Sequence, residues 1–139
     1  MRLTNFSDVS LRVLLFAAAH KDRLVTIDEM VAVFGTSRGQ VMKVVHNLTT
    51  HGFLEAVRGR TGGLKLALAP DEINLGQLLR HTENDFGVVE CMRSGNQCVL
   101  TGDCRLPSVL TGAMEAFFAV LDGKTLADIE LKAANFMGT

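Results

Sequence analysis

Apolar positions along the chain recur at helical spacing in blocks separated by polar or glycine-containing breaks. Val9, Val13, Phe16 and Ala17 line one face of a first helix that runs to about Ala19 or His20. Asn5 is its expected N-cap, which puts Asp8 in the first turn, where a carboxylate suits the helix dipole. Thr26 to Glu29 reads as a capping box ahead of a short helix with Ile27, Met30, Val31 and Phe34 inward, ended by Gly35. Ser37 to Gln40 reads as a second box. The helix it opens buries Val41, Val44, Val45 and Leu48 and turns Arg38, Gln40, Lys43, His46 and Asn47 outward, stopping before Gly52. Periodicity then changes. Phe53 to Val57 and Leu64 to Leu68 read as two short strands around the glycine-rich tip Arg58-Gly59-Arg60-Thr61-Gly62-Gly63. A helix capped by Asn74 ends near Thr82. A long apolar helix starts near Leu106 and stops at Asp122-Gly123, and a last helix starts at Thr125, with a tail expected to fray from Asn135.

This order predicts a mainly α fold with one small β-hairpin: a winged helix-turn-helix over residues 1–82 (wing 53–69), a loop over 83–105, and a helical unit over 106–139. Two short helices joined by a tight turn present polar groups on the second, as a helix inserted in a major groove requires. A basic hairpin tip suits phosphates or a minor groove, so Arg58, Arg60 and Lys65 join the candidate DNA contacts. The hairpin does not lead into a helix, which excludes a phosphate-cradling nucleotide loop. In the long helix Leu106, Leu110, Ala113, Phe117 and Val120 follow a 4-3-4-3 spacing, widened by Val109, Met114, Phe118 and Leu121. Such a stripe needs a partner along about 25 Å of helix. Packing within the chain would satisfy it. Pairing with its copy in a homodimer is favoured, because helix-turn-helix proteins bind palindromic operators as dimers.

Composition changes the picture little, since 47% hydrophobic content is ordinary for one globular unit. No apolar run reaches the roughly 18 residues of a membrane span, and the first residues lack the ordered regions of an export signal. The expected location is the cytoplasm. Net charge is −1, but residues 1–65 hold nine Lys/Arg against five Asp/Glu and residues 66–139 hold five against ten. Only the first half is suited to a polyanion.

All three cysteines, Cys91, Cys98 and Cys104, fall within fourteen residues. Thiolates suit zinc, copper(I) or iron–sulfur clusters, and three of them fill three corners of a centre. The spacing is looser than a zinc knuckle, and Gly95 and Gly102 let the loop curl around something bulky. An iron–sulfur cluster is the first reading, and three unrelated buried thiols the plainest alternative. A structural zinc site in a DNA-binding protein and a small iron–sulfur redox protein are the other classes. Against an enzyme, the chain carries no nucleophile with a base at recognisable spacing and no flavin or nicotinamide fingerprint.

The opening MRLTNFSD, the segment VRGRTGGLKLA, the three spaced cysteines and the following CRL together resemble the Rrf-type winged-helix iron–sulfur transcriptional regulators, in particular their nitric-oxide-sensing repressors, over nearly the whole chain. The resemblance implies a homodimer that represses transcription, releases operator DNA when nitric oxide modifies its cluster, and holds that cluster, 4Fe–4S rather than 2Fe–2S, by Cys91, Cys98 and Cys104. It also implies a fourth ligand from a carboxylate near the partner's N-terminus, a position Asp8 matches. The sibling that regulates iron–sulfur assembly uses a histidine shortly after its third cysteine, where this chain has Arg105-Leu106-Pro107-Ser108. The Cys91–Cys98 interval is one residue longer than the commoner spacing. An iron-responsive relative with three cysteines in this region is the alternative of the same family, and His81 the alternative fourth ligand.

Overall fold

The computed structural model describes residues 1–137. Helix α1 (Asn5–Ala19) is capped by Thr4 rather than Asn5: its hydroxyl accepts from the Ser7 amide at 3.2 Å. A β-branched hydroxyl residue serves as well as Asn here, and Asp8 stays in the first turn. Helix α2 (Ile27–Phe34) opens on the complete Thr26–Glu29 box and closes on Gly35, whose φ of 60° is left-handed. Helix α3 (Arg38–Thr50) is half a box. The Ser37 hydroxyl accepts from the Gln40 amide, but Gln40 Oε1 takes the Thr36 hydroxyl at 2.6 Å instead of reaching back to Ser37.

The wing is an antiparallel pair, β1 (Leu54–Val57) and β2 (Gly63–Leu66), with Leu54 opposite Leu66 and Glu55 opposite Lys65. The ladder is shorter than the apolar pattern predicts, because Phe53 lies buried ahead of β1 and Ala67 only returns its amide to the Phe53 carbonyl. Val25 exchanges both backbone bonds with Leu64, at 2.9 and 2.7 Å, so the α1–α2 connection forms a third edge. A Cβ at Gly63 would lie 2.7 Å from the Val25 carbonyl, which makes glycine obligatory there.

Helix α4 (Leu75–Thr82) follows, with Asn74 as N-cap, and α5 (Leu106–Asp122) comes after the cysteine loop. The inward faces of α1, α3, α4 and the wing form one core around Leu14, Val41, Leu48, Leu54, Ile73 and Leu78. Beyond α5 the expected helix is only a 3-10 turn, Leu126–Ile129, with Leu126 fully buried in that core. The tail does not fray within the described residues. Ala133–Phe136 makes another 3-10 turn, and Phe136 packs edge-on against Phe16 and Phe34. Aromatic burial offsets the entropy of ordering these residues.

Candidate DNA-reading surface and metal centre

Along α3, Arg38, Lys43 and His46 are exposed, while Gln40 and Asn47 are half-buried at the edges of the outward face. Arg38 is paired with Asp28 in the first turn of α2. Gln40 is engaged by Thr36, and the Asn47 side-chain oxygen is buried without a hydrogen-bond partner. Lys43 and His46 have no side-chain partner among the described residues. In the wing Arg58 and Arg60 are exposed on the tip without an acidic partner among the described residues, whereas Lys65 reaches Glu55 across the strands at 3.4 Å. Of the candidate DNA contacts, the cations without an acidic partner among the described residues are Lys43 on the outer face of α3 and Arg58 and Arg60 on the wing tip, the two places from which a winged helix grips a duplex.

The loop from Glu83 to Arg105 is held by its own short-range bonds. The Gly87 amide donates to Asp85, Arg93 to the Gly87 carbonyl and Asp85, the Gln97 amide to Glu90, and the Cys98 amide to Asn96. Gly95 (φ 80°) and Gly102 (φ 110°) both turn left-handed, the conformation that favours glycine. All three thiols are unpaired; Cys91 and Cys98 are half-buried and Cys104 is exposed. Val99 and Leu100 beside them are 95% and 61% exposed. Among the described residues no three His, Cys, Asp or Glu side chains converge as metal ligation requires. By its chemistry the donor set suits a thiophilic centre: three free thiols on a short loop, beside the exposed apolar side chains of Val99 and Leu100.

Asp8 is bound at 2.6 Å by Arg12 one turn along α1, both about half exposed. The pair is the ordinary i,i+4 kind, a signal present in the sequence but unused there. His81, the other candidate ligand, packs at a tilt against His51 with ring centroids 4.6 Å apart and meets Phe53 edge-on.

Glu83 is the residue that sequence reasoning missed. It lies nine-tenths buried where α4 ends, and it accepts from the Thr4 amide at 2.6 Å and the Thr4 hydroxyl at 3.0 Å. Next to it the Ser7 hydroxyl donates to Thr82 at 2.8 Å, fully buried. The root of the cysteine loop is thereby fastened to the first turn of α1. No local pattern signals a bond between residues 79 apart.

On α5 no residue is fully buried. Met114, Phe117, Phe118 and Leu121 are half-buried; Phe118 meets Phe86 and lies under the Arg80 guanidinium. Leu106, Val109, Ala113 and Val120 are exposed, with Leu110 half-buried among them. A cleft of about 460 Å³ lies between residues 1–3, the linker at 85–88, and Met114 and Phe117. The foot of α5 is fixed to α4. Arg80 holds Asp122 through two bonds of 2.5 and 2.9 Å, and Asn74 caps α4 while donating to the Asp122 carbonyl. Hydrogen bonding from Arg80 holds the Asp122 carboxyl below the usual carboxylate range. A Cβ at Gly76 would collide with that carboxylate, so glycine makes the room.

A winged helix with unpaired cations on α3 and the wing tip, joined through a three-cysteine loop to a helix with an exposed apolar edge, has the architecture of a DNA-binding regulator. The chain belongs to the Rrf2 family, described as iron-dependent transcriptional regulators, which matches residues 3–130. It is similar to the HTH-type transcriptional regulator NsrR of Bacillus licheniformis, 44% identical over 131 residues covering 93% of this chain and 92% of that one. The NsrR regulator of Bacillus subtilis is 43% identical over 93% of this chain and 90% of its own. Among solved structures, T. potens IscR superposes with a TM-score of 0.74 at 22% identity, covering 93% of this chain and 85% of that chain, which shows the shared fold. The chain is thus a transcriptional regulator, not an enzyme, and no helix among its described residues is long and apolar enough to cross a membrane.

Proposed function

We propose that this regulator is a homodimeric cytoplasmic repressor that senses nitric oxide through an iron–sulfur cluster, 4Fe–4S rather than 2Fe–2S, and releases a palindromic operator when the cluster is modified. Cys91, Cys98 and Cys104 would hold the cluster, with the partner subunit's Asp8 as fourth ligand. When bound, the cluster supplies iron that nitric oxide can attack. Resemblance to the NsrR regulators supports the signal, and the description of the family as iron-dependent favours an iron-responsive regulator as the second reading.

One observation carries the coupling: Glu83 and Thr82, at the root of the cysteine loop, hold Thr4 and Ser7 at the start of α1. The buried face of α1 shares a core with α3. A change in the loop is therefore felt at the first turn of α1 and passed on to the helix that reads DNA. Asp8 adds a choice of partner. As a ligand its carboxylate would be a hard donor among soft thiolates, the weakest corner of such a set, and Arg12, which binds it within the chain, would hold it when it is not a ligand. Lys43 and His46 on α3 and Arg58 and Arg60 on the wing make the DNA contacts, with Arg38, Gln40, Asn47 and Lys65 in support through their present intrachain partners or at the edge of the face. The apolar stripe Leu106, Leu110, Ala113, Phe117 and Val120, exposed at Leu106, Ala113 and Val120 and half-buried at Leu110 and Phe117, pairs two copies, with α5 as the assembly element and residues 126–136 joining 1–82 in the reading unit.

The test is anaerobic purification followed by nitric oxide titration, with visible absorption and operator binding read in one sample. A coloured protein whose spectrum changes as binding falls is the expected result. Colour with DNA release only on iron chelation would replace nitric oxide by iron as the signal. A colourless, zinc-containing protein would overturn the cluster.

A further inference from the structure

Helix α3 has an unusual outer surface. Val41, Val44, Val45 and Leu48 are its buried face. At about 100° per residue the opposite direction falls on Gly39, Lys43, His46 and Thr50. Gly39 thus occupies the crown of the outward face in the first turn. Nothing in the protein asks for glycine there, because a Cβ at this position would meet no atom within 4 Å and its φ is not left-handed. Glycine lowers helix stability relative to alanine, so the position carries a cost without an internal reason. One turn further on, Met42 is 50% exposed, an apolar side chain among the exposed Arg38, Lys43 and His46. Residues three and four apart are neighbours on a helix, so Met42 and Lys43 flank the gap left by the missing Gly39 side chain.

We propose that the Gly39 gap and Met42 form a notch that reads the C5-methyl group of a thymine in the major groove. The inference rests on the reading of α3 as the groove-entering helix. The thymine methyl is the one apolar group that base edges present in that groove. A phosphate would engage the cationic rim of Arg38 and Lys43 but would gain nothing from a thioether side chain. The absent Cβ lets the first turn of α3 approach the base edge closely enough for Met42 to cover the methyl. Sequence is read at the notch, while Lys43 contributes affinity that does not depend on sequence.

The experiment uses the full-length, anaerobically purified protein and an operator selected by that protein from a random duplex pool. Each thymine of a half-site is replaced in turn by deoxyuridine, which removes only the methyl. At one position the wild type is expected to lose about fourfold in affinity, the worth of one buried methyl-sized group. Met42→Ala is expected to bind both duplexes alike. Gly39→Ala is expected to lose the same discrimination without any fall in melting temperature, which separates it from misfolding. Lys43→Ala should weaken every duplex and keep the discrimination. If no thymine distinguishes the wild type from Met42→Ala while Lys43→Ala still weakens binding, the notch is overturned and the α3 reading stands. If Lys43→Ala and His46→Ala both bind like the wild type, the α3 reading falls and takes the notch with it.

Discussion

Phe136 meets Phe16 edge-on, with ring centroids 5.3 Å apart and planes at 90°. Phe34, the last residue of α2, lies 6.4 Å from the same ring, so the tail closes over the junction of α1 and α2. Phe136→Ala is expected to destabilise the fold by about 2 kcal/mol, the value of a partly buried aromatic with its edge contacts. Urea unfolding at neutral pH would measure it. A change below a few tenths of a kcal/mol would show that the tail contributes nothing to the helix-turn-helix.

Glu83→Ala removes the acceptor of both Thr4 bonds. The expected cost is about 1–3 kcal/mol, since the Thr4 amide is left without its partner in a partly buried place. Hydrogen exchange should quicken first at the amides of the first turn of α1. Uniform protection across α1 in the variant would refute a fastening role.

Asp8→Ala separates a structural from a ligand role. The Asp8–Arg12 pair is exposed and of the i,i+4 kind, so its loss is expected to cost less than about 0.5 kcal/mol. Under the proposed function the same substitution should alter the visible spectrum of the anaerobic protein and its response to nitric oxide. An unchanged spectrum and response would remove Asp8 from the ligand set.

The junction of α4 and α5 should be acid-sensitive. Asp122 is held below its ordinary pKa by hydrogen bonding from Arg80. A depressed carboxylate contributes stability that is present above its unfolded pKa and lost as pH falls through the folded one. Acid unfolding of the wild type should therefore show a loss at low pH that Asp122→Asn lacks. Gly76→Ala, which crowds the same carboxylate, is expected to push Asp122 away from Arg80 and so remove the same low-pH loss.

Arg60 on the wing tip is exposed and free of an acidic partner among the described residues. Arg60→Ala should weaken operator binding and reduce the salt slope by about 1, the signature of one lost phosphate contact. Titrations at several salt concentrations would decide it, and an unaltered slope would take Arg60 off the DNA surface.

Much of this protein is local and so was legible in the chain. The helices announced themselves by apolar period and caps: the Thr26–Glu29 box, Gly35 with positive φ, Asn74 at the head of α4. The wing was legible through alternation around a glycine-rich tip. These features depend on neighbours within a few residues, which is the range over which sequence acts directly. The rest needed the tertiary structure, because it joins residues far apart in the chain. Glu83 finds Thr4, Arg80 finds Asp122 in the space Gly76 leaves, Phe136 finds Phe16, and the short tail becomes part of the core rather than a frayed end. Burial decides such contacts, and burial is known only once every element has taken its place. The same holds for the reading face. The sequence could say which α3 residues are polar, but only packing showed that Gln40 and Asn47 are drawn to its edges and that Gly39 stands open at its crown.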